Sequence, residues 1–271
     1  MFLLELLKSC SGNPGLSGRE LKDDIDLFYL NILPDALPFH AGIPPVCTHA
    51  QEVLDEIKCP NGASAGKLCL GFTLHHLLDN LSHCGSLVAT TNFSKGFALL
   101  SGLKIQEGAS RKIKDLFKLV EGKSALYTLH SGVEMAVELC IDDQDINRVL
   151  DQACSMFFQR QEKYQELLSH LSRLTEEELE KGMAGMKKRC QTDPFVNGVS
   201  LNGFTRRFII RYLPSSDSPE MEQTVREFLQ LAQKHMQELW PPFLEESVNK
   251  VLQFDPRIQE MLLAMLGAED H

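Results

Sequence analysis

Residues 143–174 read DQDINRVLDQACSMFFQRQEKYQELLSHLSRL. Large or apolar side chains recur in this stretch at alternating spacings of four and three residues, beginning at Ile146 and ending at Leu174. This spacing is a heptad repeat, which is typical of a helix that buries one narrow stripe against another helix. We therefore predict that residues 143–174 form one long helix.

Two features of the apolar stripe bear on how this helix packs. Arg160 lies on the apolar stripe, where a charged group needs either a polar partner or access to water. Met156, Phe157 and Phe158 widen the stripe beyond what a free coiled coil buries. We expect the helix to pack antiparallel within a bundle.

The distribution of proline predicts the organisation of the rest of the chain. Residues 61–193 contain no proline, while six prolines precede this stretch and six follow it. Because proline breaks helix interiors, we predict a helical core over 61–193 and further helices over 194–271. An extended, Pro-rich linker at 34–45 leaves open a separate N-terminal lobe over 1–45, although we expect one domain over 1–271.

Several local signals place individual helices. Residues 67–83 fit a helix better than a strand because the apolar run is long. Ser124, Thr175 and Ser218 are suited to cap helices, with Pro219 at the first position of the last of these. The residues Trp240-Pro241-Pro242 predict a turn.

Two short segments fit more than one type of secondary structure. Residues 204–213 fit a strand or a helix, and residues 86–93 fit a short strand or irregular backbone. The predicted fold is all-α, a single irregular bundle or array of about ten helices with room for one short strand pair.

Charge and composition exclude some partners. The chain has 271 residues, with 37 acidic and 27 basic side chains and a net charge of −10. This balance disfavours nucleic acid and anionic membranes. No apolar run is long enough to span a bilayer. Because no secretion signal is recognisable, we expect the eight cysteines to be reduced thiols in the cytoplasm or nucleus.

The candidate motifs for phosphate binding and metal binding are incomplete. Gly62–Leu68 resembles a phosphate-binding loop, but it lacks one residue between its glycines and has no hydroxyl after its lysine. His75 and His76 point about 100° apart on a helix, and His76 and His83 lie about 10 Å apart along it. We therefore predict no catalytic, cofactor-binding or metal-ligating residue.

These observations favour an intracellular, non-enzymatic adaptor or structural subunit that binds other proteins. Arg207 and Arg211 share a helix face suited to an acidic partner. The segment Leu3–Leu7 either packs or docks on a partner, and both alternatives stay open. The alternative function is a helical enzyme or small-molecule carrier, whose interhelical pocket uses dispersed Cys, His and Glu side chains.

Overall fold

The computed structural model describes most of the chain outside its N-terminal quarter. It covers residues 63–88, 96–120, 124–140, 173–192, 200–216 and 218–267, together with 9–10, 34–35, 37–38, 41–43, 48 and 53. The predicted seam up to residue 172 and the Leu3–Leu7 segment lie outside these residues.

The described residues are overwhelmingly helical and contain no strand, which confirms the all-α prediction. None of their helices is both long and apolar enough to cross a membrane. The α-helices with defined bounds are α1 (Ala63–Cys84), α2 (Phe97–Gly108), α3 (Arg111–Leu116), α4 (Ala125–Cys140), α5 (Glu176–Thr192), α6 (Leu201–Tyr212), α7 (Pro219–Phe254) and α8 (Pro256–Gly267), and a 3-10 helix, Pro214–Ser216, separates α6 from α7.

All three predicted caps are confirmed. The hydroxyl of Ser124 accepts a hydrogen bond from the backbone N–H of Tyr127 at 3.1 Å. At α5, two reciprocal hydrogen bonds join Thr175 and Glu178. The backbone N–H of Thr175 donates to the Glu178 carboxylate, and the backbone N–H of Glu178 donates to the Thr175 hydroxyl. Ser218 accepts in the same way from the third residue of α7. Each bond satisfies a backbone donor that has no partner within its helix.

The turn predicted at Trp240-Pro241-Pro242 is wrong, because α7 continues through both prolines to Phe254. Each proline removes one intrahelical hydrogen bond and disfavours the helix. Aromatic packing on both sides of the prolines opposes this cost. The ring of Phe243 stacks on Phe97 with centroids 3.9 Å apart and lies 5.6 Å from the Trp240 ring.

The extended linker predicted at 34–45 is wrong at the positions that the structure describes. Pro34, Leu37 and Pro38 are helical. Ala41 is helical and Gly42 is not; the φ of Gly42, 73°, is left-handed, and its N–H donates to the Pro38 carbonyl at 2.8 Å. Glycine adopts this conformation without steric cost, which explains the stop at that residue.

Two compact units make up the chain, and the site described below lies in the second. One unit comprises residues 1–78, 143–196 and 251–271, and the other comprises 79–142 and 197–250. Whether they fold as one domain over 1–271 stays a prediction.

The second unit has a core rich in aromatic rings. Phe228 of α7 is fully buried, with its ring centroid 5.1 Å from that of Phe117 and 5.7 Å from that of Phe208. Its ring lies so close to Gly132 of α4 that any Cβ at that position would collide with it. Gly132 therefore lets α4 approach α7 closely at Phe228.

Candidate metal centre

Helix α4 has one polar face and one apolar face. At helical spacing, four polar side chains follow one another on the same face, namely Tyr127, His130, Ser131 and Glu134. The other side of the helix is buried in the core through residues that include Leu129, Val133 and Ala136. Burial of the apolar face holds the polar face toward the end of α1.

The last turn of α1 brings His83 onto this polar face. Its Nε2 atom lies 2.9 Å from Nε2 of His130 and 3.2 Å from Oε1 of Glu134. The third side of the triangle, between His130 Nε2 and Glu134 Oε1, measures 3.0 Å. Three atoms that are all able to ligate a metal thus converge from two helices.

While Glu134 is ionised, protons on the imidazoles cannot satisfy all three contacts of this triangle. A proton on one Nε2 leaves the other Nε2 and the carboxylate as two facing acceptors, and a proton on each Nε2 leaves two facing donors. A cation beside the triangle removes this conflict, because all three atoms then offer an electron pair to the same ion.

The dimensions fit a zinc ion. Zinc bonds of about 2.0–2.1 Å in a tetrahedral set place ligand atoms about 3.3 Å apart. The three separations of 2.9, 3.2 and 3.0 Å are only slightly shorter. Among the described residues, no fourth His, Cys, Asp or Glu joins the group, so an ion held there would keep a coordination position open.

Asp79 orients His83 within the site. Its Oδ1 atom lies 3.2 Å from Nδ1 of His83, one turn earlier on α1. A carboxylate in this position holds the proton on Nδ1 and directs the lone pair of Nε2 outward, toward the other two ligand atoms. Metal-bound histidines almost always have such a partner on their second nitrogen.

The charges of the metal-free site are strongly coupled. Burial alone would lower the pKa of His83, but hydrogen bonds with Asp79 and Glu134 outweigh it and raise this pKa to about 10. Burial opposes ionisation of Glu134, but hydrogen bonds with His130 and His83 lower its pKa to about 2. The site therefore holds a carboxylate and a protonated imidazole at neutral pH, and an incoming cation replaces that proton.

The triangle is reachable from solvent. The exposed fractions of the side chains are 16% for His130, 26% for His83 and 44% for Glu134. Although nearly half of the Glu134 side chain is exposed, its carboxylate end is crowded enough for burial to oppose its ionised form. The site therefore lies near the surface of its unit and not in the aromatic core.

A glycine holds the end of α1 in place. A Cβ atom at Gly96, the residue before α2, would collide with the carbonyl groups of Ser82 and His83. The backbone before α2 thus lies directly against the residue that supplies one ligand atom, and only glycine permits this approach.

The three histidines noted in the sequence, His75, His76 and His83, do not come together at one site. His76 contacts the backbone carbonyl of Thr48 at 2.9 Å, and His75 lies 3.8 Å from Asp35. Both contacts belong to the first unit, whereas His83 belongs to the second. The separation of His76 and His83 follows from their spacing on one helix, but the sequence-based reasoning missed ligands from a second helix.

His130 and Glu134 are the residues that sequence reasoning missed. One sequence pattern could have pointed to them. Asp79 and His83 are four residues apart, as are His130 and Glu134, and this spacing places each pair on one helix face. The sequence did not show that α1 and α4 bring these two faces together. Of the two arginines predicted to share a face, Arg207 lies over the ring of Phe204, and Arg211 reaches Tyr127 beside the triangle.

Comparison with known proteins finds no matching family model, curated protein or solved structure.

Proposed function

We propose that this chain is a metal-binding protein that holds one zinc ion through His83, His130 and Glu134. The observation that carries the proposal is the triangle of ligand atoms, with every side between 2.9 and 3.2 Å. Two imidazoles and one carboxylate are a set of ligands that zinc prefers. Asp79 supplies the outer contact that strengthens such a site.

Three protein ligands are typical of zinc sites that act on a further ligand, whereas structural zinc sites have four. An ion held in this way lowers the pKa of a bound water to about 7 and polarises a bound carbonyl group. The geometry therefore favours the second function considered from the sequence, an enzyme or small-molecule carrier that uses dispersed His and Glu side chains. The adaptor role and its protein partners stay predictions.

A direct titration tests the proposed metal site. Protein freed of metal with a chelator is titrated with zinc chloride by calorimetry, and we expect one ion per chain. His130→Ala is expected to weaken binding at least about tenfold, because only two ligands remain. His235→Ala is the matched control, since it removes a half-buried histidine of the same unit that is outside the triangle. Equal zinc binding by both variants, or none by the unmodified chain, would show that the proposal is wrong.

A further inference from the structure

Arg211 places a positive charge beside the proposed metal site. Its Nη2 atom donates to the Tyr127 hydroxyl at 3.2 Å, and its Cζ lies 5.4 Å from the centroid of the Tyr212 ring. Neither of these groups is a carboxylate. Among the described residues, Arg211 has no ion-pair partner, and its side chain is exposed.

The ring of Tyr127 connects Arg211 to the metal ligands. It stacks on the imidazole of His130 with centroids 6.4 Å apart and planes inclined by only 9°. The ring is 41% exposed, and its hydroxyl is the group that contacts Arg211. Arg211 and His130 therefore both contact the exposed side chain of Tyr127.

The buried ring of Tyr212 lies next to both Arg211 and Tyr127. The Tyr212 ring also meets the Tyr127 ring edge-on, with centroids 6.4 Å apart.

The Tyr127 side chain contacts both groups, the guanidinium through its hydroxyl and the His130 imidazole through its ring. A molecule with two separated charged groups therefore suits this arrangement better than one small anion. Zinc with two neutral imidazoles and one carboxylate has a net charge of +1, which the Asp79 carboxylate behind His83 offsets. A carboxylate would therefore bind the ion through its open coordination position, whereas the guanidinium offers a separate positive charge. The planar fork of arginine suits a carboxylate, which it binds through two parallel hydrogen bonds.

We infer that the metal ion and Arg211 together bind a small molecule with two carboxylate groups, one on the open position of the ion and the other on the guanidinium. The chain of that molecule would lie along the exposed ring of Tyr127. This inference rests on the proposed metal site and adds the chemical class of its ligand.

The test uses the full chain loaded with cobalt, whose visible spectrum reports a change in coordination. Metal binding is measured first, so that failure of the metal site is seen separately. Adipate and hexanoate are then titrated, because they have the same chain length and differ in the second carboxylate. We expect adipate to bind at least about tenfold more tightly than hexanoate, as a charged hydrogen bond predicts.

Variants of the two arginines distinguish a specific contact from general charge. Arg211→Gln should abolish the preference for adipate while cobalt binding is retained. Arg207→Gln, one turn earlier on α6, should keep the preference, since Arg207 contacts Phe204 and not Tyr127. Equal affinities for the two acids, or a preference that survives Arg211→Gln, overturns the inference and leaves the metal site standing. Absence of both cobalt and zinc binding overturns both proposals.

Discussion

Oδ1 of Asp79 lies 3.2 Å from Nδ1 of His83, one turn away on the same helix. This contact leaves Nε2 as the nitrogen that faces His130 and Glu134. It also adds negative charge behind the imidazole, which makes His83 a stronger electron-pair donor.

Asp79→Asn should therefore weaken zinc binding without removing a ligand. We expect a loss of about 10–100-fold in affinity, which is usual when the outer partner of a metal-bound histidine is changed. A competition titration against a chromogenic chelator measures it. Asp115→Asn is the control, because Asp115 belongs to the same unit but pairs with Lys118. If Asp79→Asn binds zinc as tightly as this control, Asp79 does not support the site.

Metal-free protein should lose stability as the pH rises above neutrality. The pKa of His83 is raised from 6.5 to about 10 in the folded chain, so its contribution is fully present below pH 6.5 and is lost as the pH rises through about 10. Melting temperatures between pH 6 and pH 10 should fall more steeply for the unmodified chain than for His83→Gln. Identical profiles would contradict the coupling described for His83.

The contribution of Glu134 to the stability of metal-free protein should be lost at low pH, opposite to that of His83. Its pKa is lowered from 4.5 to about 2, so its contribution is present above pH 4.5 and is lost as the pH falls through about 2. Melting of metal-free protein between pH 5 and pH 2 should show a smaller acid-induced loss for Glu134→Gln. An unchanged acid-induced loss in this variant would show that the Glu134 ion pairs do not stabilise the fold.

Gly96→Ala should disturb the metal site through the backbone. The added methyl group would collide with the carbonyl groups of Ser82 and His83, so the end of α1 must shift. We expect a loss of about 1–3 kcal/mol in the free energy of unfolding together with weaker zinc binding. Gly108→Ala is the matched control, because a methyl group at that position, the end of α2, would meet no atom within 4 Å apart from its own stretch of helix. Equal effects of the two substitutions would refute a specific role for Gly96.

Phe228 should be the main determinant of stability in the second unit. It is fully buried between other aromatic rings, so Phe228→Ala is expected to cost about 3–5 kcal/mol in chemical denaturation. Phe254→Ala removes a side chain that is 54% exposed and should cost far less. Comparable losses would mean that the core of this unit is placed wrongly.

The sequence by itself determined the class of fold and where several helices begin. Such information is local, because a cap at Ser124, Thr175 or Ser218 depends on bonds to a residue three positions later. The helix at 67–83 followed from its own apolar spacing. Prediction was wrong at Pro241 and Pro242, where contacts between Phe97 and Phe243, more than one hundred residues apart, oppose the local preference of proline.

Only the tertiary structure decided the candidate site. Each pair with a spacing of four, Asp79–His83 and His130–Glu134, is by itself an ordinary feature of a helix surface. The contact between His83 and His130 depends on packing between helices whose ligands are 47 residues apart. Packing of this kind is governed by details such as the missing side chains of Gly96 and Gly132. Local sequence patterns do not specify such distances, because a ligand triangle with sides of about 3 Å requires two helices to be positioned to within a fraction of an ångström.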